Sequence, residues 1–214
     1  RFQVIAGRDL DYSLCYPRQA FDRQSIAWDL YYFKYYFLKL VTVFNEQKLE
    51  DDFHRLSDYL LQALAGYFMY RDFQSRNIMI HENTLYFIDY QGGRKGPLQY
   101  DPISLLYQVR AQMPARLRKS LLKHYHLCLQ ELTGTEWKDF MSFTDGFILL
   151  RLLQVLGAYG YRGLIQKKSH FLESLPYAIN QLNEYLNHNN LPVDLPELMS
   201  SLSIAASSNR FRNL

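Results

Sequence analysis

Three oxygen-bearing side chains at fixed spacings carry the chemistry open to this sequence: Asp72, Asn77 and Asp89. Between the last two lie Ile78, Met79 and Ile80, then the turn-like His81, Glu82, Asn83 and Thr84, then Leu85, Tyr86, Phe87 and Ile88. Two β-branched and aromatic runs around a turn spell a β-hairpin. Pairing Ile80 with Leu85 sets Asn77 opposite Ile88 and therefore beside Asp89, at the open end of the hairpin. Asp72 lies on the loop that enters it. Two carboxylates and one amide then converge, which gives hard oxygen ligands for Mg²⁺ and a separate carboxylate to orient a hydroxyl. Those are the needs of metal-dependent phosphoryl transfer.

The segment Tyr70, Arg71, Asp72, Phe73, Gln74, Ser75, Arg76, Asn77 resembles the His-Arg-Asp-x-x-x-x-Asn catalytic loop of the kinase superfamily. Phe87, Ile88, Asp89, Tyr90 and Gln91 resemble its metal-binding Asp segment. Within the superfamily the resemblance runs to the aminoglycoside phosphotransferase and choline kinase group, which phosphorylates small molecules. With Gly96, Pro97, Tyr100 and Asp101 added, the pattern is similar to bacterial kinases acting on the anomeric hydroxyl of N-acetylmuramate and N-acetylglucosamine. Tyr70 stands where the usual His does, and Tyr90-Gln91 replaces the Phe-Gly of protein kinases, which points away from protein substrates.

The resemblance implies roles. Asp72 is the expected catalytic base, and Asn77 and Asp89 the expected ligands of Mg²⁺ and, through it, of ATP. Gln74, Ser75, Arg76 and Arg94 are candidates for substrate or phosphate contact, although Arg94 and Lys95 together also fit a solvated charge pair. Arg71 fits an organiser of the loop. Asp101, before Pro102, reads as a helix cap. The implied function is an ATP-dependent kinase of a small-molecule hydroxyl, with an amino sugar as the leading acceptor. The alternative is a catalytically silent kinase-like module that binds a metabolite or partner and reports it to an attached domain.

The positioning elements are mainly helical. Asp22 can cap a helix over residues 23–40 whose apolar residues run almost all the way round, the mark of a buried helix. Asn45 caps a second, amphipathic helix that Gly66 would end. The glycine-rich stretch 91–97 reads as an irregular loop. Further helices are expected over 103–112, from Pro114, from Thr135 through Phe140 and Leu153 to the 157–163 region, from Ser174 and Pro176, and a short one from Asp194 and Pro196. Residues 205–210 have linker composition. The fold class is thus mainly α (α+β overall): a kinase-like helical C-terminal lobe over residues 1–204 with a catalytic-loop hairpin, and a tail or linker over 205–214. No glycine-rich phosphate loop or strand-borne lysine precedes residue 20, so the nucleotide lobe is expected outside this chain, and residues 1–214 are expected not to turn over alone.

Composition narrows the rest. A formal charge of +3 with no sustained Lys/Arg stripe argues against nucleic acid. The most apolar piece, residues 147–161, is broken by Arg151, Gln154 and glycines, so no membrane span or membrane partner is expected. Cys15 and Cys128 are too few for a disulfide framework or a zinc site, which suits a cytoplasmic protein with both thiols in the core. His124 and His126, two apart on a helix, point to different faces and make no metal site.

Overall fold

A computed structural model describes residues 1–208. It is mostly helical, with two small antiparallel sheets of two strands each. The chain groups into two compact units, the first made of residues 1–22 and 61–147, the second of residues 23–60 and the chain from Ile148.

The first unit holds all four strands: β1 (Tyr67–Met69), β2 (Ile78–His81), β3 (Thr84–Phe87) and β4 (Arg94–Gly96). β2 and β3 pair in the expected register, Ile80 opposite Leu85 and Ile78 opposite Phe87. The turn is tighter than the four-residue connector read from composition. Only Glu82 (φ 47°) and Asn83 (φ 58°) lie outside the strands, and left-handed backbone at both is the type I′ geometry whose twist matches a two-residue hairpin. β4 is a correction of a different kind, since the glycine-rich stretch expected to be irregular pairs with β1, Met69 opposite Arg94. Its glycines permit close approach: a Cβ on Gly93 would sit 2.6 Å from the Phe68 ring, and one on Gly96 2.6 Å from Met69 Sδ. On its other side β4 exchanges hydrogen bonds with the chain at Gln19 and Phe21.

Helix Tyr100–Leu106 starts earlier and stops sooner than the 103–112 expected. A 3₁₀ turn, Val109–Ala111, follows, and Gln112 at φ 44° ends it. Helix Ala115–Thr133 follows Pro114 as read and ends at Gly134 in the left-handed conformation that favours glycine. Thr135 does not cap the next helix: its hydroxyl meets that of Thr133 at 2.8 Å, and Trp137–Met141 and Thr144–Tyr159 form separate helices. Val4, Leu98, Leu106, Leu122, Leu129 and Phe140 make one core cluster, and Tyr12, Phe68 and Tyr70 another. The expectation of two core cysteines fails, since Cys15 is half-buried and Cys128 exposed.

In the second unit, residues 23–41 are helical but not uniformly so, because a π-helical turn, Lys34–Leu38, separates Arg23–Phe33 from Lys39–Val41. Nor is this helix buried all round. Ile26, Leu30, Phe33, Phe37 and Leu38 are inside, whereas Trp28 (42% exposed) and Tyr35 (49%) reach solvent, as amphipathic rings can. The Lys34 ammonium, almost wholly buried, pairs with both Glu46 and Glu50. Asn45 caps helix Glu46–Leu60 as expected, its Oδ1 accepting from Lys48 N at 3.0 Å, but the helix ends at Leu60 and not at Gly66. Helix Leu175–His188 begins at Ser174 and Pro176 as read. The last helix, Pro196–Ser207, is longer than the short one expected. Ala205 and Ala206 are buried in it, so the linker reading gives way over 205–207, and residues 209–214 lie outside the described residues. Asp52, fully buried, accepts the Leu198 N–H at 2.8 Å near that helix's start and pairs with Arg55, which also donates to the Asp194 carbonyl at 3.0 Å.

By length and composition the helical stretch Trp137–Ile165 could cross a membrane, but 67% of its most apolar window is buried inside the protein, which accounts for its composition as core.

Candidate active site

The hairpin register decides where the carboxylates meet. One ladder step beyond Ile78 and Phe87, Ile88 N donates to the Asn77 carbonyl at 3.0 Å, so Asn77 and Asp89 arrive side by side. Asn77, 6% exposed, donates from Nδ2 to the Asp72 carbonyl at 2.9 Å and to Asp89 Oδ2 at 3.3 Å. Because a carbonyl and a carboxylate both require a donor, the amide orientation is fixed and Oδ1 is the atom left to face a cation. Asp89 Oδ1 accepts from Gln91 Nε2 at 2.7 Å. The Asp72 carboxylate lies against the following loop, its Oδ2 3.9 Å from where a Cβ on Gly92 would be. Asn77 therefore joins Asp89 through its carboxylate and Asp72 through its backbone carbonyl, while the Asp72 carboxylate lies beside Gly92.

The backbone there is strained. Arg71 (φ 73°) and Asp89 (φ 69°) both sit in the left-handed region, which costs a residue with a Cβ about 1–2 kcal/mol. Compensation for Arg71 comes from Asp101. Its Oδ2 accepts the Tyr70 N–H at 2.7 Å and its Oδ1 the Arg71 N–H at 2.9 Å. Asp101 is thus inside the first turn of its helix, behind an N-cap at Gln99, and the capping role expected for it is wrong. Its task is architectural all the same, since the buried carboxylate fixes the two amides before Asp72.

Tyr70, 1% exposed, donates its hydroxyl to the Ile88 carbonyl next to Asp89. Burial first, then the charges of Asp89, Asp101 and Asp72 among its neighbours, raise its phenol above the ordinary value, so it stays a neutral donor. Arg71 lays its guanidinium over the Phe21 ring at 5.6 Å, in keeping with an organising part.

The four candidate contact residues separate. Ser75 N donates to Gln108 Oε1 at 3.1 Å in the 3₁₀ turn Ser75–Asn77, and Ser75 and Arg76 are exposed while Gln74 is half-buried. Arg94 is not a solvated charge: it is 3% exposed on β4, with Nε donating to the Gly92 carbonyl at 3.0 Å, while Lys95 beside it is exposed. Gln91, which sequence reasoning left without a task, steadies Asp89, and its place two residues after the metal-segment Asp was the available signal. The clamp by Asp101 had one sequence signal, its place in the Gly96, Pro97, Tyr100, Asp101 pattern, which was read as a helix cap because Pro102 follows.

For Mg²⁺ the donor set fits. Asp89 offers a carboxylate and Asn77 an amide oxygen, hard oxygen donors of the kind that Mg²⁺ takes together with waters and phosphate oxygens.

No curated protein matches the chain. The family model of the phosphotransferase enzyme family, APH, matches residues 12–138, a span that includes Asp72, Asn77, Asp89 and Asp101 and more than half of the chain. The chain belongs to that family, and a kinase-type phosphotransferase function follows from it.

Proposed function

We propose that the protein transfers the γ-phosphate of ATP to a hydroxyl of a small molecule, with an amino sugar such as N-acetylglucosamine or N-acetylmuramate as the acceptor. The observation that carries this reading is that Asn77, at the mouth of the hairpin, bonds both the Asp89 carboxylate and the backbone carbonyl of Asp72. The acceptor oxygen forms a bond to the γ-phosphorus, the bond to the bridging oxygen breaks and ADP leaves, and the hydroxyl proton passes to the Asp72 carboxylate. Asn77 Oδ1 and Asp89 would hold Mg²⁺, which when bound supplies positive charge to the phosphate oxygens. The exposure of Asp89 and the half-burial of Asp72 suit groups that must meet a ligand. We place the described chain on the acceptor side of a two-lobed kinase, with the clamp on the nucleotide supplied by a separate lobe.

A coupled assay of ADP release by the complete protein with each sugar tests the proposal. Sugar-dependent release that Asp72→Ala abolishes is the expected result. Release at the wild-type rate in that variant removes Asp72 from the mechanism, and no release with any sugar favours a silent binding module.

A further inference from the structure

Resting on the phosphotransfer reading, we infer that Gln3 is a positioning residue of the catalytic loop, acting through Asp101 and held by Tyr125. Asp101 Oδ2 takes two donors, the Tyr70 amide at 2.7 Å and Gln3 Nε2 at 2.9 Å. The far end of the same Gln3 amide is also held, since Oε1 accepts from the Tyr125 hydroxyl at 2.6 Å. The orientation is fixed chemically: Asp101 demands the NH₂ end of Gln3, which turns the carbonyl end toward the only hydrogen Tyr125 can give. The Leu98 carbonyl, 3.0 Å from the same hydroxyl, is the longer, competing acceptor for that hydrogen. Burial, and then the Asp101 charge, hold this phenol well above its usual range, so it remains a donor.

A hydrogen-bonded line therefore runs from helix Ala115–Thr133 through Gln3 and Asp101 to the amides of Tyr70 and Arg71, and Arg71 is the residue whose left-handed backbone precedes Asp72. The N-terminal π-helical turn, Phe2–Ala6, that carries Gln3 is itself docked. Phe2 meets Phe68 edge-on at 5.3 Å, Tyr70 at 6.1 Å and Phe87 at 5.8 Å. Those three partners belong to β1, the catalytic loop and the hairpin. A strained loop keeps its shape only while its surroundings over-determine it, and Gln3 adds a side-chain donor to the carboxylate that the Tyr70 and Arg71 amides hold.

The experiment uses the complete protein with Gln3→Ala and Gln3→Glu, read by steady-state kinetics and by amide hydrogen exchange at Tyr70 and Arg71. Gln3→Ala should lower kcat roughly tenfold, the effect of one hydrogen bond to a charged group, with KM for the sugar unchanged and both amides exchanging faster. Gln3→Glu sets a second carboxylate against Asp101, so its kcat relative to wild type should recover as the pH falls and the new side chain regains a proton to donate. Unchanged exchange in Gln3→Ala, or faster exchange with unchanged kcat, overturns the inference, as does a Gln3→Glu deficit that is flat with pH. If the wild-type protein transfers no phosphate, the reading of the site fails by itself, and the exchange rates alone decide whether Gln3 holds the loop.

Discussion

The candidate site around the β2–β3 hairpin and helix Glu46–Leu60 both concentrate acidic side chains, yet they treat charge in opposite ways. Along the helix, Asp52 is fully buried and spent on the Leu198 amide and Arg55, and Glu46 and Glu50 answer the buried Lys34. Around the hairpin, Asp89 is exposed and Asp72 half-buried, and Asp89 rests on strained backbone with its carboxylate accepting from the side-chain amides of Asn77 and Gln91. Charge that folding uses is neutralised within the protein, whereas the charge assigned to chemistry under the proposed function is left able to meet a ligand. Asp101 joins the two kinds: it is buried like Asp52 and caps amides like Asp52, but the amides are those of the catalytic loop.

The contrast is sharpest at Asp89. Asp89→Asn keeps a residue that tolerates φ 69° and removes the charge, so kcat should fall about a thousandfold while thermal unfolding moves by no more than a few degrees. Asp52→Ala should do the reverse: loss of its helix-capping bond and of the Arg55 partner costs about 3 kcal/mol in denaturant unfolding, with kcat per folded molecule unchanged. A smaller loss is expected from Gly160→Ala in the second unit, where the added Cβ would overlap the Tyr36 carbonyl. About 2 kcal/mol by the same titration is the expectation, and an unchanged midpoint would show that the two helices can part there.

The smallest effect concerns pH. The Lys34 hydrogen bond, against some burial and with help from the Lys34 and Lys39 charges, lowers the Glu46 pKa. A depressed carboxylate adds stability that is present above its unfolded value, about 4.3, and fades as the pH falls through the folded one. Stability of the wild type should therefore drop with acid below that point, and Lys34→Met should flatten this part of the curve. An identical acid limb in the variant would take Glu46 out of the balance.

Much of this was readable in advance where local rules act alone. The hairpin register followed from centring the turn between Ile80 and Leu85, and Asn45 and Ser174 marked helix starts because capping and first-turn proline signals lie within a few residues. The misreadings share a cause. Gly93 and Gly96 look like loop until Phe68 and Met69 are set against them, and Asp101 looks like a cap until the catalytic loop, some thirty residues back in sequence, is folded over it. The exposed Trp28 and Tyr35 likewise depended on which side of the helix found neighbours. Of the site, the placing of Asn77 beside Asp89 was legible. The network that steadies it, through Gln91, Asp101 and Gln3, was not, because each of those contacts depends on tertiary packing.

The most direct test is Asp72→Asn in the complete protein, with sugar-dependent ADP release and thermal unfolding measured on one preparation. The account predicts a rate reduced by at least about a hundredfold with a melting temperature within a few degrees of wild type. A rate close to wild type, or a rate lost only in step with the folded fraction, would contradict it.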